Sequence, residues 1–231
     1  MSNNLKYLLI GNSRLHWAEY KNNSYKFTHS RIKDPLSKTL NQDKLIWASV
    51  GDESNFKLNQ NNQIKTEDIN LLNIPHHFGV DRALSCFYAS RKLENPNKKN
   101  IIIADFGTTL SITKINDEGE LLGGQLIPGF NTQIKAMVEN TKLLKEPHKL
   151  RIPNEKFLIN TQEAMIKGVS SAIIGAINFS YNCKEDILVF CGGDSELFSK
   201  LMQSQTNRII LKPNLVMEGL ICFSDYFFNK D

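Results

Sequence analysis

The sequence predicts an α/β protein built from two related halves, and three observations carry that prediction. Apolar residues alternate with polar ones in three short runs near the N-terminus, Leu5–Ile10, Leu15–Tyr20 and Tyr25–His29, which reads as a three-stranded meander. After a polar, turn-rich stretch, ENPNKKN at residues 94–100, the same pattern returns as Ile101–Ala104, Leu110–Ile115 and Leu121–Ile127. Laying Gly11 on Gly107 puts YLLIGNSRLHWAE over IADFGTTLSITKI, so both halves read strand, glycine turn, strand. We take this as an internal duplication.

The remaining elements follow in order. Leu45–Val50 is a strand candidate. Val80–Leu93 has helical spacing, with Val80, Leu84, Phe87, Tyr88 and Leu93 on one face. In the second half a helix runs from Gly129 to about Asn140, with Pro128 near its start. Thr161–Tyr181 is a long helix whose small residues (Ala164, Gly168, Ser171, Ala172, Gly175, Ala176) permit close packing. Strand Ile187–Phe190 runs into CGGD, and then come helix Asp194–Met202, strand Arg208–Leu211 and helix Leu215–Phe228. The expected division is residues 1–97 and 98–231, two α/β domains with a cleft between them.

Composition bounds the function. The chain has 231 residues, 41% hydrophobic, enough for a sizeable core or two smaller ones. A net charge of +4 is a mild bias, and its Asn-Lys clusters lack interleaved aromatics, so solvated loops are expected rather than nucleic-acid binding. Cys86, Cys183, Cys191 and Cys222 have no metal-ligand spacing, which fits buried free thiols in a reducing cytosol. No apolar run approaches the ~20 residues of a membrane span, and no targeting pattern opens the sequence, so a cytoplasmic protein is expected.

Four short motifs can carry chemistry. In Asp105-Phe106-Gly107-Thr108-Thr109 the carboxylate suits Mg²⁺, the glycine a close phosphate approach and the hydroxyls phosphate oxygens; a turn capped by Asp explains the same residues. Gly192-Gly193-Asp194 follows a buried strand and opens a helix, either a nucleotide seat or a tight turn with Asp194 as cap. Gly79-Val80-Asp81-Arg82 opens another helix. Asp81 there is either a favourable N-terminal acid or a base for a hydroxyl, and Arg82 a clamp for a carboxylate. Gly11-Asn12 sits where a phosphate loop would, but Leu9 stands two residues before the glycine where the second copy has Asp105. His76 and His77 read as loop residues, since a pair alone is a weak metal signal.

The ordered set GNS, GVDR, DFGTT, GGQLIPG, NTQEAMIKG, CGGD and PNLVMEGL, from Leu8 to Leu220, resembles the type III pantothenate kinases of the acetate and sugar kinase, heat-shock chaperone and actin superfamily. The resemblance implies two ribonuclease-H-like (actin-like ATPase) domains with an interdomain cleft, and ATP-dependent phosphorylation of pantothenate, the first step of coenzyme A biosynthesis. It implies Asp81 as general base, Gly79, Arg82 and Thr161 as pantothenate-binding residues, and Asp105 as the metal ligand. Gly11, Asn12, Gly107, Thr108, Gly192 and Gly193 would bind ATP and its phosphates. It further implies Mg²⁺, a monovalent cation (K⁺ or NH₄⁺), and a homodimer in which Thr161 reaches pantothenate in the partner subunit.

Two residues depart from the family pattern. Leu9 replaces the acid of Asp-x-Gly-Asn-Thr, and Leu72 replaces a pantothenate-facing Tyr. Leu9 motivates the alternative of a weak or silent homologue that binds nucleotide or pantothenate. Leu72 motivates a kinase for another small hydroxyl substrate. An acid restored at position 9 is expected to lower the Mg²⁺ requirement, provided that it is not buried.

Overall fold

The computed structural model describes residues 5–32, 44–202 and 209–228. By contact it divides into two units. The first comprises residues 1–98, 115–122 and 214–231; the second comprises 99–114 and 123–213. The sequence division assigns 98–231 to one domain, whereas the contacts group 115–122 and the last helix with the first unit.

In the first unit, β1 (Lys6–Ile10), β2 (Arg14–Lys21), β3 (Ser24–Arg31) and β4 (Leu45–Ser49) form a sheet of order β3-β2-β1-β4. The β1–β2 and β2–β3 pairs are antiparallel, and β4 runs parallel to β1. Asn22 and Asn23 turn β2 into β3 with φ of 50° and 62°, the left-handed pair that a two-residue hairpin of the right twist requires. One sheet face buries Leu8, Ile10, Leu15, Leu45 and Trp47. The other buries Tyr7, Leu9, Ile46 and Ala48 with residues of α1 (Val80–Lys92) and α5 (Leu215–Phe228). Gly219 lets these helices touch: a Cβ there would overlap the Leu84 carbonyl oxygen, and Phe87 meets Phe223 edge to face at 5.1 Å.

The second unit repeats the order. β5 (Asn100–Phe106), β6 (Thr109–Ile115), β7 (Leu121–Pro128), β8 (Asp186–Gly192) and β9 (Ile209–Leu211) lie as β7-β6-β5-β8-β9, with β8 parallel to β5. The third–second–first–fourth arrangement of the first sheet therefore recurs, with β9 added. Arg208, where the sequence starts this last strand, lies outside the described residues. Helices α2 (Phe130–Glu139), α3 (Thr161–Ser180) and α4 (Ser195–Met202) bury Phe130, Ile134, Met165, Ile173 and Phe198 against Ile102, Ala104, Phe106 and Phe190. Phe106 stacks on Phe198 at 4.9 Å.

Of the small residues of α3, Ala176 packs against the core, but most do not pack within the chain. Ala164, Gly168, Ser171, Ala172 and Gly175 are exposed, and Phe179 on the same helix is 91% exposed. Of the cysteines, Cys86 and Cys191 are buried, but Cys183 is exposed because it lies in the turn after α3, and Cys222 is half-buried. Burial pushes the Cys86 thiol up to about 12, so it is inert near neutral pH. No helix among the described residues is long and apolar enough to cross a membrane.

One buried charge fixes the second sheet. Asp186, with its side chain 1% exposed, meets Lys114 Nζ at 2.8 Å, accepts from Asn100 Nδ2 at 3.3 Å and from the Asn182 N–H at 2.8 Å. Lys114→Met leaves this carboxylate buried without its cation and is expected to cost about 3 kcal/mol. Urea unfolding of the two proteins checks this, and the Lys114→Met, Asp186→Asn double variant is expected to recover part of the loss.

Candidate active site

The residues singled out in the sequence fall into three sets, one in the second unit and two in the first. In the second unit, β5 delivers Asp105 to the start of a tight turn, Gly107–Thr109, closed by the Gly107 N–H donating to the Thr109 carbonyl at 3.3 Å. Two glycines make room around it. Gly129, which starts α2, lies so close that a Cβ would overlap the Gly107 carbonyl oxygen, and its N–H donates to the Thr108 carbonyl at 2.9 Å. Thr132 Oγ1 donates to the same carbonyl at 2.7 Å. Gly192 ends β8 with φ +84°, and a Cβ there would collide with Asp105 Oδ1 and the Phe106 backbone. The next turn is held by Ser195 Oγ donating to the Gly192 carbonyl at 2.7 Å and by the Asp194 N–H donating to the Phe106 carbonyl at 3.4 Å.

Asp105, Gly107, Thr108, Gly192 and Gly193 are thus gathered at the ends of two adjacent parallel strands. Gly107, Thr108 and Gly193 are exposed and Asp105 is half-buried. Backbone exposed beside a carboxylate at a glycine turn is an arrangement that can seat phosphate together with a metal ion. Thr161 sits elsewhere in this unit, exposed in the first turn of α3, which is capped by Asn160 Oδ1 accepting from the Glu163 N–H at 3.1 Å.

In the first unit the corresponding turn joins β1 to β2. The Gly11 N–H donates to the Arg14 carbonyl at 2.9 Å, and Asn12 is exposed. Gly51, just past β4, stands against Gly11 so closely that a Cβ would overlap its carbonyl oxygen. Gly51 and Gly129 were not singled out in the sequence. Their signal was position, since each follows a strand of one duplicated half.

Leu9 is 5% exposed and packs with Tyr7, Ala18 and Ala48. The proviso attached to an acid at position 9 therefore fails. This position is apolar core, and a carboxylate there would be forced toward its protonated form.

The second set of the first unit is the start of α1. Gly79 is its N-cap, and a Cβ there would sit 3.9 Å from Val50 Cγ1, beside Gly51. The same Cβ would lie 2.5 Å from Asp81 Oδ1, so glycine here lets that carboxylate fold back over the helix start. The Arg82 N–H donates to Asp81 Oδ1 at 2.8 Å. Burial nonetheless pushes the Asp81 carboxyl above the usual range, outweighing this hydrogen bond and the adjacent guanidinium. The Arg82 guanidinium lies 4.1 Å over the Phe78 ring, and Thr66 Oγ1 fixes the Phe78 carbonyl at 2.8 Å. Leu72 is exposed, its carbonyl accepting from the Leu121 N–H at 3.1 Å.

Comparison with known proteins gives this geometry a family. The sequence model of the type III pantothenate kinases matches residues 53–182. A type III pantothenate kinase of Pseudoalteromonas translucida is 32% identical over 159 residues, 68% of this chain but only 63% of that protein. One from a Synechocystis species is 25% identical over 92% of this chain and 87% of its own. Among solved structures, a Campylobacter jejuni protein described as a Baf family transcriptional activator aligns with a TM-score of 0.69 at 19% identity, over 97% of this chain and 100% of that one. The activator of a 2-hydroxyisocaproyl-CoA dehydratase from Clostridium difficile, solved with bound ADPNP, aligns at 0.50 and 13% identity over 96% and 95%. The structural likenesses speak for the fold, two ribonuclease-H-like domains, and the sequence likenesses for descent: the chain belongs to the type III pantothenate kinase family.

Proposed function

We propose that the chain transfers the terminal phosphoryl group of ATP to the primary hydroxyl of pantothenate, giving 4'-phosphopantothenate. The observation that carries this is Asp81. It is a carboxyl at a helix start, pushed up by burial and held back from free rotation by the Arg82 N–H, beside an arginine able to clamp a carboxylate. A base with a raised pKa is better matched to a hydroxyl proton than an ordinary Asp. Arg82, steadied on Phe78, binds the pantothenate carboxylate, and Gly79 gives the substrate and Asp81 their clearance.

Gly107 and Thr108 face the ATP phosphates, with Gly192 and Gly193 toward the nucleotide and Gly11 and Asn12 forming the other phosphate loop. Among the described residues no cluster of three or more His, Cys, Asp or Glu could cage a metal ion. The donor set still fits Mg²⁺, which is commonly held by one or two carboxylates together with phosphates and water. Asp105 is the residue that would hold it, and the ion would supply charge neutralisation on the phosphates. A monovalent cation completes the proposed cofactors, and the cytoplasm is the proposed location.

ATP turnover measured with and without pantothenate, at saturating Mg²⁺ and K⁺, tests the reading. Turnover that requires both pantothenate and Asp105 is expected. Turnover by Asp105→Asn at the wild-type rate would overturn the metal assignment. The buried Leu9 favours one other reading, a silent homologue, and no turnover at any Mg²⁺ concentration would establish it.

The exposed small-residue face of α3, with Phe179 beside it, supports a homodimer in which Thr161 reaches the partner's pantothenate. Light scattering on a size-exclusion column is expected to give twice the 26.3 kDa chain mass. Phe179→Glu is expected to shift the protein toward monomer, and a fully active wild-type monomer would remove the role given to Thr161.

A further inference from the structure

The first phosphate loop lacks a carboxylate, and the side chain across the sheet from the missing acid is an imidazole. His16 on β2 is in register with Leu9 on β1 and, on its other side, with His29 on β3. Residues opposite one another in an antiparallel pair share a face, so the two histidines and Leu9 form one cross-strand row. The rings meet edge to face with centroids 4.9 Å apart, and the two Nδ1 atoms lie 2.9 Å apart. That distance is a hydrogen bond and requires one Nδ1 to carry the proton and the other to accept it.

The second ring nitrogen of His16 looks the other way. A Cβ built on Gly11 would sit 3.4 Å from His16 Nε2 and 3.6 Å from its Cδ2. The imidazole edge therefore lies against the glycine of the loop itself. With its Nδ1 engaged by His29, His16 presents Nε2 where the loop meets its ligand.

We propose that His16, oriented by His29, is a phosphate-contacting group of this chain and takes up a proton when ATP binds, supplying directly the positive charge that a metal held at position 9 would otherwise bring. This rests on the reading of Gly11 and Asn12 as a phosphate loop. In the free protein His16 donates Nδ1–H to His29 Nδ1, and His29 keeps its proton on Nε2. On binding, His16 Nε2 accepts a proton from water or buffer, and the imidazolium donates Nε2–H to a phosphate oxygen. The Nδ1 bond to His29 is unchanged, so one proton enters and no other bond breaks.

The electrostatics of the free protein set the starting point. Burial, the neighbouring His29 ring and Arg14 hold His16 neutral, down to about 4, and burial with Arg14 lowers His29 as well. Arg14 and the two rings are the titratable groups acting on the pair; β1 contributes Leu9 and Gly11 opposite, and Arg31 of β3 is in register with Arg14. Helix α5, which packs on β2, brings Glu218 and Asp225 to a pocket lined also by Tyr25 and Phe27 of β3. The incoming charge reverses the balance, because an opposite charge within a few ångströms favours the protonated ring.

Titration calorimetry of Mg²⁺-ATP into the full chain, in buffers of different ionisation enthalpy between pH 5 and 6, reads the proton count directly, because the free ring is neutral above about 4 and an opposite charge raises it by about one to three pH units. The wild type is expected to take up about one proton per ATP more than His16→Gln, with a dissociation constant that rises as pH rises. His29→Phe, which removes the orienting partner, is expected to reduce the uptake and leave the ring present. Histidine ¹⁵N shifts of the wild type, recorded with and without ATP, give the same answer without a variant: one ring passing from neutral to doubly protonated. Equal proton counts in wild type and His16→Gln, or unchanged wild-type shifts with ATP bound, would overturn the inference while leaving the kinase reading intact. Absence of any ATP binding to the wild type would remove both.

Discussion

Asp81→Asn is expected to lower turnover by about 10²–10⁴-fold while leaving the protein folded and no less stable at neutral pH. Phosphoryl transfer depends mostly on positioning and charge stabilisation, so losing the base reduces the rate without erasing it. The stability half follows from sign. Burial raises the Asp81 carboxyl, so the folded state holds its proton more tightly than the unfolded chain. Its contribution is lost as pH rises from the ordinary Asp value through the raised one, and at pH 7 the buried carboxylate is a cost. Asn keeps an oxygen to accept the Arg82 N–H but carries no charge. The same raised value places the acid limb of the wild-type rate profile above the range of an exposed Asp. Steady-state kinetics against pH and thermal melts of both proteins check the pair of claims. A melting temperature that falls together with an unchanged rate would show Asp81 to be a helix cap.

Leu9→Asp is the second large effect, and it acts on stability. Leu9 packs among Tyr7, Ala18, Ile46 and Ala48 beneath α1 and α5. Replacement removes that apolar contact and buries a carboxyl group with no partner, together costing about 3–5 kcal/mol. Against a typical total of about 5–15 kcal/mol, this is enough to lower expression and melting temperature markedly. The Mg²⁺ concentration for half-maximal rate is expected to stay where it is in whatever protein folds, because a protonated acid does not bind metal. A stable variant with a lower Mg²⁺ requirement would mean that the position opens to solvent in the working enzyme.

Much of the fold was legible because the duplication repeats a strong local pattern. The β1–β2 and β5–β6 turns announced themselves through Gly11 and Gly107, and α1 through Val80, Leu84 and Phe87. Helix ends moved by a residue or so: Tyr181 leaves α3 for extended backbone, and Leu93 does the same after α1. The packing glycines were harder to see. Gly51 and Gly129 matter for what approaches them from elsewhere in the chain, and nothing local marks such a contact. His16 was hidden for a similar reason, since its partner His29 lies 13 residues away and meets it only through strand register. The fate of the small face of α3 was also open in the sequence, because close packing and exposure use the same residues.

The return of α5 to the first unit has a consequence for how the protein is made. Val80, Leu84 and Phe87 find Met217, Leu220 and Phe223 as neighbours only once α5 has left the ribosome. Until then strands β1 to β4 lack one wall of their interior, while residues 99–213 already include the whole of the second unit. The first unit is therefore completed after the second although its strands precede it, and a stop codon just before Leu215 would unmake β1 to β4 and leave the second sheet whole.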